Sequence, residues 1–204
     1  MSAMLDELNP QQREVALLRR HCVAIACPGA GKTKTIATKA ARLLEDPAVV
    51  VGAVTFSKDA ALELRERILA IAVPDAKRRL IAGTFHSLAF RQLGRPGRAR
   101  HDIASDGDRF GMLGRVIAEL GFEWKVEEAV PIIERIKTNF GRAEPGSSEA
   151  KLYAAYQARL KTLNACDFGD LLLHPITIFR KHPDILKEYH QKFRYILVDE
   201  YQDT

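Results

Sequence analysis

The sequence predicts an α/β fold in which a parallel β-sheet is interrupted by an inserted helical subdomain. In the first part of the chain, short apolar runs alternate with segments that carry apolar residues at helical spacing. From about residue 107 to Gln191 only helical periodicity remains, and the apolar run "YILVDE" (195–200) then returns to the strand pattern. Strands that alternate with helices favour a parallel sheet covered by helices on both faces.

Each predicted strand is a short apolar run that ends at turn-forming or polar residues. The first is "CVAIAC" (22–27), which stops at Pro-Gly, and the next two are "VVVGAVTF" (49–56) and "LIAGTF" (80–85). Helical spacing of apolar residues follows the first strand at 32–45 and the second at 58–72. The order of elements therefore predicts parallel strands joined by helices.

A change of composition marks the predicted start of the insertion. Gly, Pro, Arg and Asp are concentrated between residues 94 and 107. We expect the first part of the sheet domain at 1–90, the helical insertion at 91–166, and a return to the sheet domain at 167–204.

Composition limits the class of protein. A chain of 204 residues with 47% hydrophobic residues can bury a core. The formal charge of +5 suits a polyanionic partner such as nucleic acid, although basic runs are usually solvated faces. Cys22, Cys27 and Cys166 lack the spacing of a zinc site or a disulfide framework. No signal pattern or membrane-length apolar run is present, so we expect a soluble, cytoplasmic protein with no membrane partner.

The stretch "CPGAGKT" (27–33) has the pattern of a phosphate-binding loop. In such a loop, successive backbone N–H groups surround phosphate oxygens at the start of a helix, a lysine reaches the terminal phosphates and a hydroxyl binds magnesium. Lys32 and Thr33 occupy these two positions, whereas Ala26 stands where the pattern has its first glycine. The alternative is an ordinary Pro-Gly turn before a helix.

Two carboxylates follow the last predicted strand. Hydrolysis of a bound nucleotide needs one carboxylate for the magnesium shell and a second group for the attacking water. Asp199 suits the metal and Glu200 the role of general base. Adjacent side chains on a strand point to opposite faces, so both can serve only if the backbone turns there. The alternative is simply a polar strand end.

Several motifs, in this order, resemble those of superfamily 1A DNA helicases of the UvrD/Rep/PcrA type. They are "LNPQQ", "ACPGAGKTKTI", "AVTFSKDAALELRERI", "GTFHSLAF", "DFGDLL" and "KFRYILVDEYQDT". The resemblance covers essentially the whole chain and implies the first part of a RecA-like P-loop NTPase with ATP and Mg²⁺ as cofactors. It also implies an ATP-dependent DNA helicase that acts in repair or replication, with single-stranded or partly duplex DNA as its partner.

The resemblance assigns roles in the nucleotide site. Gln12 would read adenine, because one amide both donates and accepts in one plane; the alternative is an ordinary polar residue at a helix start. Gln202 would sense the γ-phosphate or the attacking water. The implied catalytic residues are Lys32, Asp199, Glu200 and Gln202, and the implied metal ligands are Thr33 and Asp199. The implied nucleotide-binding residues are Gln12, Cys27, Pro28, Gly29, Ala30, Gly31, Lys32, Thr33 and Lys34.

The resemblance also assigns DNA contacts. In "TFSKDAA", Phe56 would stack a base and Ser57 would bond a phosphate, although Phe56 can instead belong to the core. The family usually reads Thr-Phe-Thr-Asn-Lys-Ala-Ala, so Lys58 stands in place of Asn and Asp59 in place of Lys. The further DNA-contacting residues that it implies are Thr84 and His86, although a lone His is usually structural. Arg91, Arg95, Arg98 and Arg100 lie just beyond and can follow a phosphate backbone or form a solvated loop.

Three further expectations follow. In the family the "DFGDLL" segment is structural, so we expect Asp167 and Asp170 to cap a helix rather than catalyse.

The second RecA-like domain, with its arginine fingers, lies beyond this sequence, so we expect the chain alone to bind ATP and DNA without unwinding. A non-motor module that binds ATP, DNA or a partner helicase is the alternative, and the exposed sheet favours self-association.

Overall fold

The computed structural model describes residues 2–93 and 102–203. They form two compact units, one made of Met1–Phe85 with Asp184–Thr204 and the other of His86–Pro183. We call these the sheet unit and the helical unit. In the described parts of the chain, no helix is long and apolar enough to span a membrane.

The sheet unit contains a three-stranded parallel sheet. Strand β1 lies in the centre, with β2 on one side and β5 on the other. In the register, Val51 is opposite both Leu80 and Tyr195. The strands are β1 (Val51–Thr55), β2 (Leu80–Thr84) and β5 (Tyr195–Val198). The helices are α1 (Ser2–Asp6), α2 (Pro10–Leu17), α3 (Lys32–Leu43), α4 (Lys58–Ile71) and α10 (Pro183–Lys192), whose first residue belongs to the helical unit. Short 3-10 helices lie at Pro74–Arg78 and Tyr201–Asp203.

The core of the sheet unit lies between the strands and helices α3 and α4. Val51, Ala53, Leu44, Leu64 and Ile68 are all at most 1% exposed. The helical residues among them come from the apolar positions whose spacing predicted α3 and α4. These three strands and two helices confirm the predicted parallel α/β fold.

The predicted strand at 22–27 is wrong. This segment has no strand assignment, and its Val23 and Ile25 side chains are 71% and 96% exposed. A strand forms only where a neighbouring backbone lies within hydrogen-bond distance. Among the described residues, β5 pairs only with β1, and no strand lies beside 22–27. Apolar composition alone was therefore an insufficient guide to strand formation.

Among the described residues, the helical unit contains five helices, and the middle three of them form its core. Leu113, Ile133, Leu152 and Tyr156 are fully buried in that core. The elements are α5 (Phe85–Leu93, whose first residue belongs to the sheet unit), β3 (Asp102–Ile103), α6 (Asp106–Glu119), α7 (Val126–Thr138), α8 (Ser148–Thr162), β4 (Ala165–Cys166) and α9 (Phe168–Lys181). The parallel β3–β4 pair was not predicted, because two residues are too few to show a strand period.

The unit boundaries differ from the expected ones at 90/91 and 166/167. Residues 167–183 belong to the helical unit. The physical reason is that Asp167 and Asp170 bind the buried ammonium of Lys137 in α7, at 2.6 and 2.8 Å. These contacts hold the start of α9 to the insertion.

Candidate nucleotide site and nucleic-acid contacts

The phosphate loop leads into the start of α3. A turn closes with the Ala30 N–H donating to the Cys27 carbonyl at 3.2 Å. Gly29 and Gly31 have φ values of 77° and 76°, a region that favours glycine. Gly31 is the N-cap of α3, which begins at Lys32. The first N–H groups of α3 have no carbonyl partner within the helix, so this end of α3 can bind an anion.

Gln12 contacts the loop directly. Its Nε2 donates to the Ala30 carbonyl at 2.8 Å, while its Oε1 accepts from the Asn9 N–H at 3.0 Å as part of a capping box that starts α2. A Cβ at Gly31 would lie only 2.8 Å from Gln12 Nε2. The glycine therefore makes room for the amide beside the loop.

Helix α3 also holds the end of α2. The Lys39 ammonium donates to the carbonyls of Val15 and Leu18 at 2.7 and 2.5 Å, and the Arg42 guanidinium donates to those of Ala16 and Leu17. Burial lowers the pKa of Lys39. Sequence analysis missed these two residues; the available signal was a pair of basic residues three positions apart on an otherwise small and apolar stretch.

Lys34, in the first turn of α3, forms an ion pair with Glu7. Its ammonium lies 2.9 Å from the Glu7 carboxylate and 3.2 Å from the Glu7 carbonyl oxygen. The Lys34 side chain therefore joins α3 to the loop before α2, and its backbone N–H remains in the first turn of α3.

The backbone turns at the carboxylate pair. The Asp199 N–H still donates to the Val54 carbonyl at 2.8 Å, whereas Glu200 has a φ of 52°. Non-glycine residues rarely adopt this conformation, and when they do they often lie at functional sites. The Glu200 N–H donates to Asp199 Oδ1 at 3.2 Å, and Gln202 Nε2 donates to Glu200 Oε2. The backbone thus leaves the extended strand conformation at Glu200.

Asp199 is 8% exposed. Burial raises its pKa, the neighbouring Glu200 raises it further, and the Lys32 ammonium opposes the shift. The loop lysine thus lies close enough to act electrostatically on Asp199. One buried carboxylate plus the Thr33 hydroxyl suits Mg²⁺, which takes one or two protein oxygens and completes its shell with phosphate and water.

The DNA candidates of the sheet unit differ in exposure. Phe56 is 67% exposed, which disfavours the core alternative, and Lys58 is exposed at the start of α4. Ser57 caps α4, because its hydroxyl accepts from the Ala60 N–H at 3.1 Å. Thr84, at the end of β2, is only 8% exposed.

In the helical unit, His86 stacks on Phe168. The ring centroids are 4.0 Å apart with an interplanar angle of 25°, and Phe168 is 57% exposed. Burial lowers the pKa of His86 and so disfavours the charged form of the ring. Sequence analysis missed Phe168; the signal was an aromatic residue between two capping aspartates. Arg91 is exposed in the last turn of α5, while Arg95, Arg98 and Arg100 lie outside the described residues.

Comparisons with known proteins agree over nearly the whole chain. A family model described as UvrD/REP helicase N-terminal domain matches residues 8–204. The chain is 33% identical over 216 residues to "ATP-dependent DNA helicase PcrA" of Leuconostoc citreum, covering 96% of this chain and 29% of that protein. It is 31% identical over 217 residues to "ATP-dependent DNA helicase Rep" of Escherichia coli (strain K12), covering 97% and 32%. The chain spans about a third of the length of the curated relatives it matches.

Proposed function

Because the chain belongs to the UvrD/REP helicase N-terminal domain family, we propose that it is the ATP-binding front part of an ATP-dependent DNA helicase. The observation that carries this proposal is the meeting of two motifs in one unit. The phosphate loop and the carboxylate pair come from distant parts of the chain, and Lys32 of the first acts on the charge of Asp199 of the second.

Each residue of this site has a chemical role in the proposal. Lys32 neutralises the terminal phosphates, while Thr33 and Asp199 hold Mg²⁺, which would offset the charge on the buried carboxylate. Glu200 accepts the proton of the attacking water. Gln202, which already donates to Glu200, orients that water or contacts the γ-phosphate.

The adenine-reading role of Gln12 can use the bonding capacity that its amide still has. Nε2 gives one N–H to the Ala30 carbonyl and Oε1 accepts one bond from the Asn9 N–H, so a second N–H and a second lone pair remain. We infer that adenine binds at these remaining positions. Cys27, Gly29, Ala30 and Gly31 offer backbone N–H groups to phosphate, and Pro28, which has none, shapes the turn. Lys34 contributes its backbone N–H while its side chain stays with Glu7.

Single-stranded DNA, or the single-stranded part of a partly duplex DNA, is the proposed partner. Phe56 in the sheet unit and the His86–Phe168 pair in the helical unit each offer an aromatic face to a base. Lys58 and Arg91 supply positive charge for phosphates, and the remaining contacts implied by the sequence, Ser57 and Thr84, are hydroxyl groups. Binding should weaken steeply as salt rises.

Translocation needs two domains that close and open around ATP. We therefore propose that this chain alone binds ATP and DNA without unwinding duplex, in the cytoplasm, and that unwinding requires a second RecA-like domain. A non-motor ATP- and DNA-binding module is the second candidate. The exposed apolar residues Val23, Ile25 and Ile196 favour self-association, and Ile196 lies in β5 at an edge of the described sheet.

Thermal stability with and without Mg-ATP tests the proposal. Ligand at about a hundred times its dissociation constant should stabilise the fold by roughly 2.7 kcal/mol. Lys32→Ala should abolish this gain, whereas Lys77→Ala, a matched change at an exposed lysine of the same unit, should keep it. Equal gains in both variants would refute the nucleotide site. DNA-stimulated turnover that Lys32→Ala abolishes would refute the inactivity of the isolated chain.

A further inference from the structure

The helical unit contains a buried ion network centred on Lys137 of α7. The side chains of Lys137, Asp167 and Asp170 are 4%, 1% and 1% exposed, and the Lys137 ammonium lies 2.6 Å from Asp167 Oδ1 and 2.8 Å from Asp170 Oδ1. The Tyr156 hydroxyl donates to Asp167 Oδ2 at 2.9 Å, and Arg109 Nε lies 3.8 Å from the same oxygen. One lysine thus joins two carboxylates that water scarcely reaches.

Opposite charges surround Asp167. Burial disfavours ionisation of Asp167, but the Lys137 ammonium and the Tyr156 hydroxyl outweigh burial, and the pKa of Asp167 is lowered. Lys137 lies between both carboxylates, while the Arg109 guanidinium also pairs with two exposed carboxylates outside the network. Removing one partner alone would leave a buried charge without compensation.

The same carboxylates form the capping box that begins α9. The Asp170 N–H donates to Asp167 Oδ1 at 3.1 Å, and the Asp167 N–H donates to Asp170 Oδ2 at 3.2 Å. By contrast, the Asn9–Gln12 and Ser105–Asp108 boxes are exposed. A helix start does not need a buried lysine, so the network at α9 needs an additional explanation.

Phe168 supplies that explanation, because it lies between the two capping residues. Its backbone is fixed on both sides by the box, while its ring is 57% exposed and stacks on His86 at 4.0 Å. The side chain of Lys137 also passes directly beneath the next residue, where a Cβ at Gly169 would meet Lys137 Cδ at 2.8 Å. The first turn of α9 is thus built around this lysine.

We propose that Lys137 is a positioning residue for the His86–Phe168 pair. By binding both carboxylates, it sets the orientation of the turn that presents the Phe168 ring, and so controls base stacking without touching DNA. This inference rests on the proposed binding of single-stranded DNA. It assigns a functional role to a buried side chain of the insertion that lies about 30 residues from the aromatic ring in sequence.

Fluorescence anisotropy on the whole chain at low salt can separate base stacking from phosphate contacts. The probes are a labelled oligothymidylate of about 16 nucleotides, at the upper end of common site sizes, and an abasic strand of equal length. The dissociation constant of the abasic strand divided by that of the oligothymidylate reports the contribution of the bases. In the parent chain we expect the abasic strand to bind roughly 5- to 150-fold more weakly for each stacked base, and Phe168→Ala should lower this ratio.

The key variant is the double substitution Lys137→Met with Asp170→Asn. It removes one charge of each sign, so the net charge of the network is unchanged. We expect the ratio to fall to that of Phe168→Ala while abasic binding stays unchanged. Lys151→Met, the same substitution at an exposed lysine of α8, should retain the parent ratio. Circular dichroism verifies that each variant is folded.

The outcomes are distinct. A parent ratio in the folded double variant would overturn the positioning role. If that variant does not fold, Gly169→Ala decides, because it displaces the Lys137 side chain without removing a charge: a lowered ratio supports the proposal, and a parent ratio overturns it. A parent chain that binds both strands equally, or whose ratio Phe168→Ala leaves unchanged, would instead refute base stacking at this site.

Discussion

Gly31→Ala is the sharpest test of the contact between Gln12 and the phosphate loop. At a φ of 76° the left-handed conformation of alanine lowers the free energy of unfolding by about 1–2 kcal/mol. Its Cβ would also lie 2.8 Å from Gln12 Nε2, which must move and give up its bond to the Ala30 carbonyl, at a further cost of about 0.5–1.5 kcal/mol.

Gly29→Ala is the matched control. Gly29 has nearly the same φ, 77°, but a Cβ there would meet no atom within 4 Å. The conformational cost is therefore shared, and the difference between the two variants isolates the contact with Gln12. We expect Gly31→Ala to be the less stable variant by about 0.5–1.5 kcal/mol.

Urea unfolding measures both variants in the parent background and in Gln12→Ala. Removing Gln12 should abolish the difference, because the clash and the hydrogen bond disappear together. Equal stabilities of Gly29→Ala and Gly31→Ala in the parent background would refute the contact. A difference that persists without Gln12 would show that some other feature of the loop is responsible.

Three further outcomes are expected. Asp199→Asn should not destabilise the fold, because burial and Glu200 raise the pKa of this carboxyl and thereby disfavour its charge. The same variant should lose the Mg²⁺-dependent part of the thermal stabilisation by ATP. A large loss of stability without ligand would contradict the argument. The lowered pKa of Asp167 contributes stability that is fully present above the ordinary pKa of 3.8 and is lost as the pH falls through the lower pKa of the folded state. Urea midpoints should therefore drop below about pH 4. Midpoints that stay constant down to about pH 3 would count against an ionised network. Phe56→Ala should change stability little, since the ring is 67% exposed, but should weaken binding of single-stranded DNA roughly 5- to 150-fold in anisotropy; unchanged affinity would exclude stacking there.

Local patterns were sufficient to predict the elements that make their own contacts. Helices α3 and α4 follow from apolar spacing, and β1 and β2 are buried runs that pair with each other. The segment 22–27 has the same apolar composition but no neighbouring strand in the described structure. Composition records a tendency to be buried, whereas strand formation also requires a partner backbone that a local pattern does not reveal.

The same distinction applies to the site. The motifs predicted Lys32, Asp199 and Glu200, because their chemistry is tied to fixed spacings next to a helix start and a strand end. Phe168 and Lys137 were not predicted. The proposed role of Phe168 depends on His86, and that of Lys137 depends on the Asp167–Asp170 box. In each case the two partners are far apart in sequence.

Gln12 shows why the position of a residue does not settle its mechanism. The sequence predicts that its amide reads adenine, and in the structure the amide donates to the Ala30 carbonyl of the loop that would hold the phosphates. If adenine accepts the second N–H of the same nitrogen, the base and the loop bind to one side chain. Recognition of adenine and the conformation of the phosphate loop are then coupled through one side chain, so Gln12→Ala should weaken discrimination between ATP and GTP and also reduce the extra cost of Gly31→Ala. A variant that changed only one of these two properties would show that they are independent.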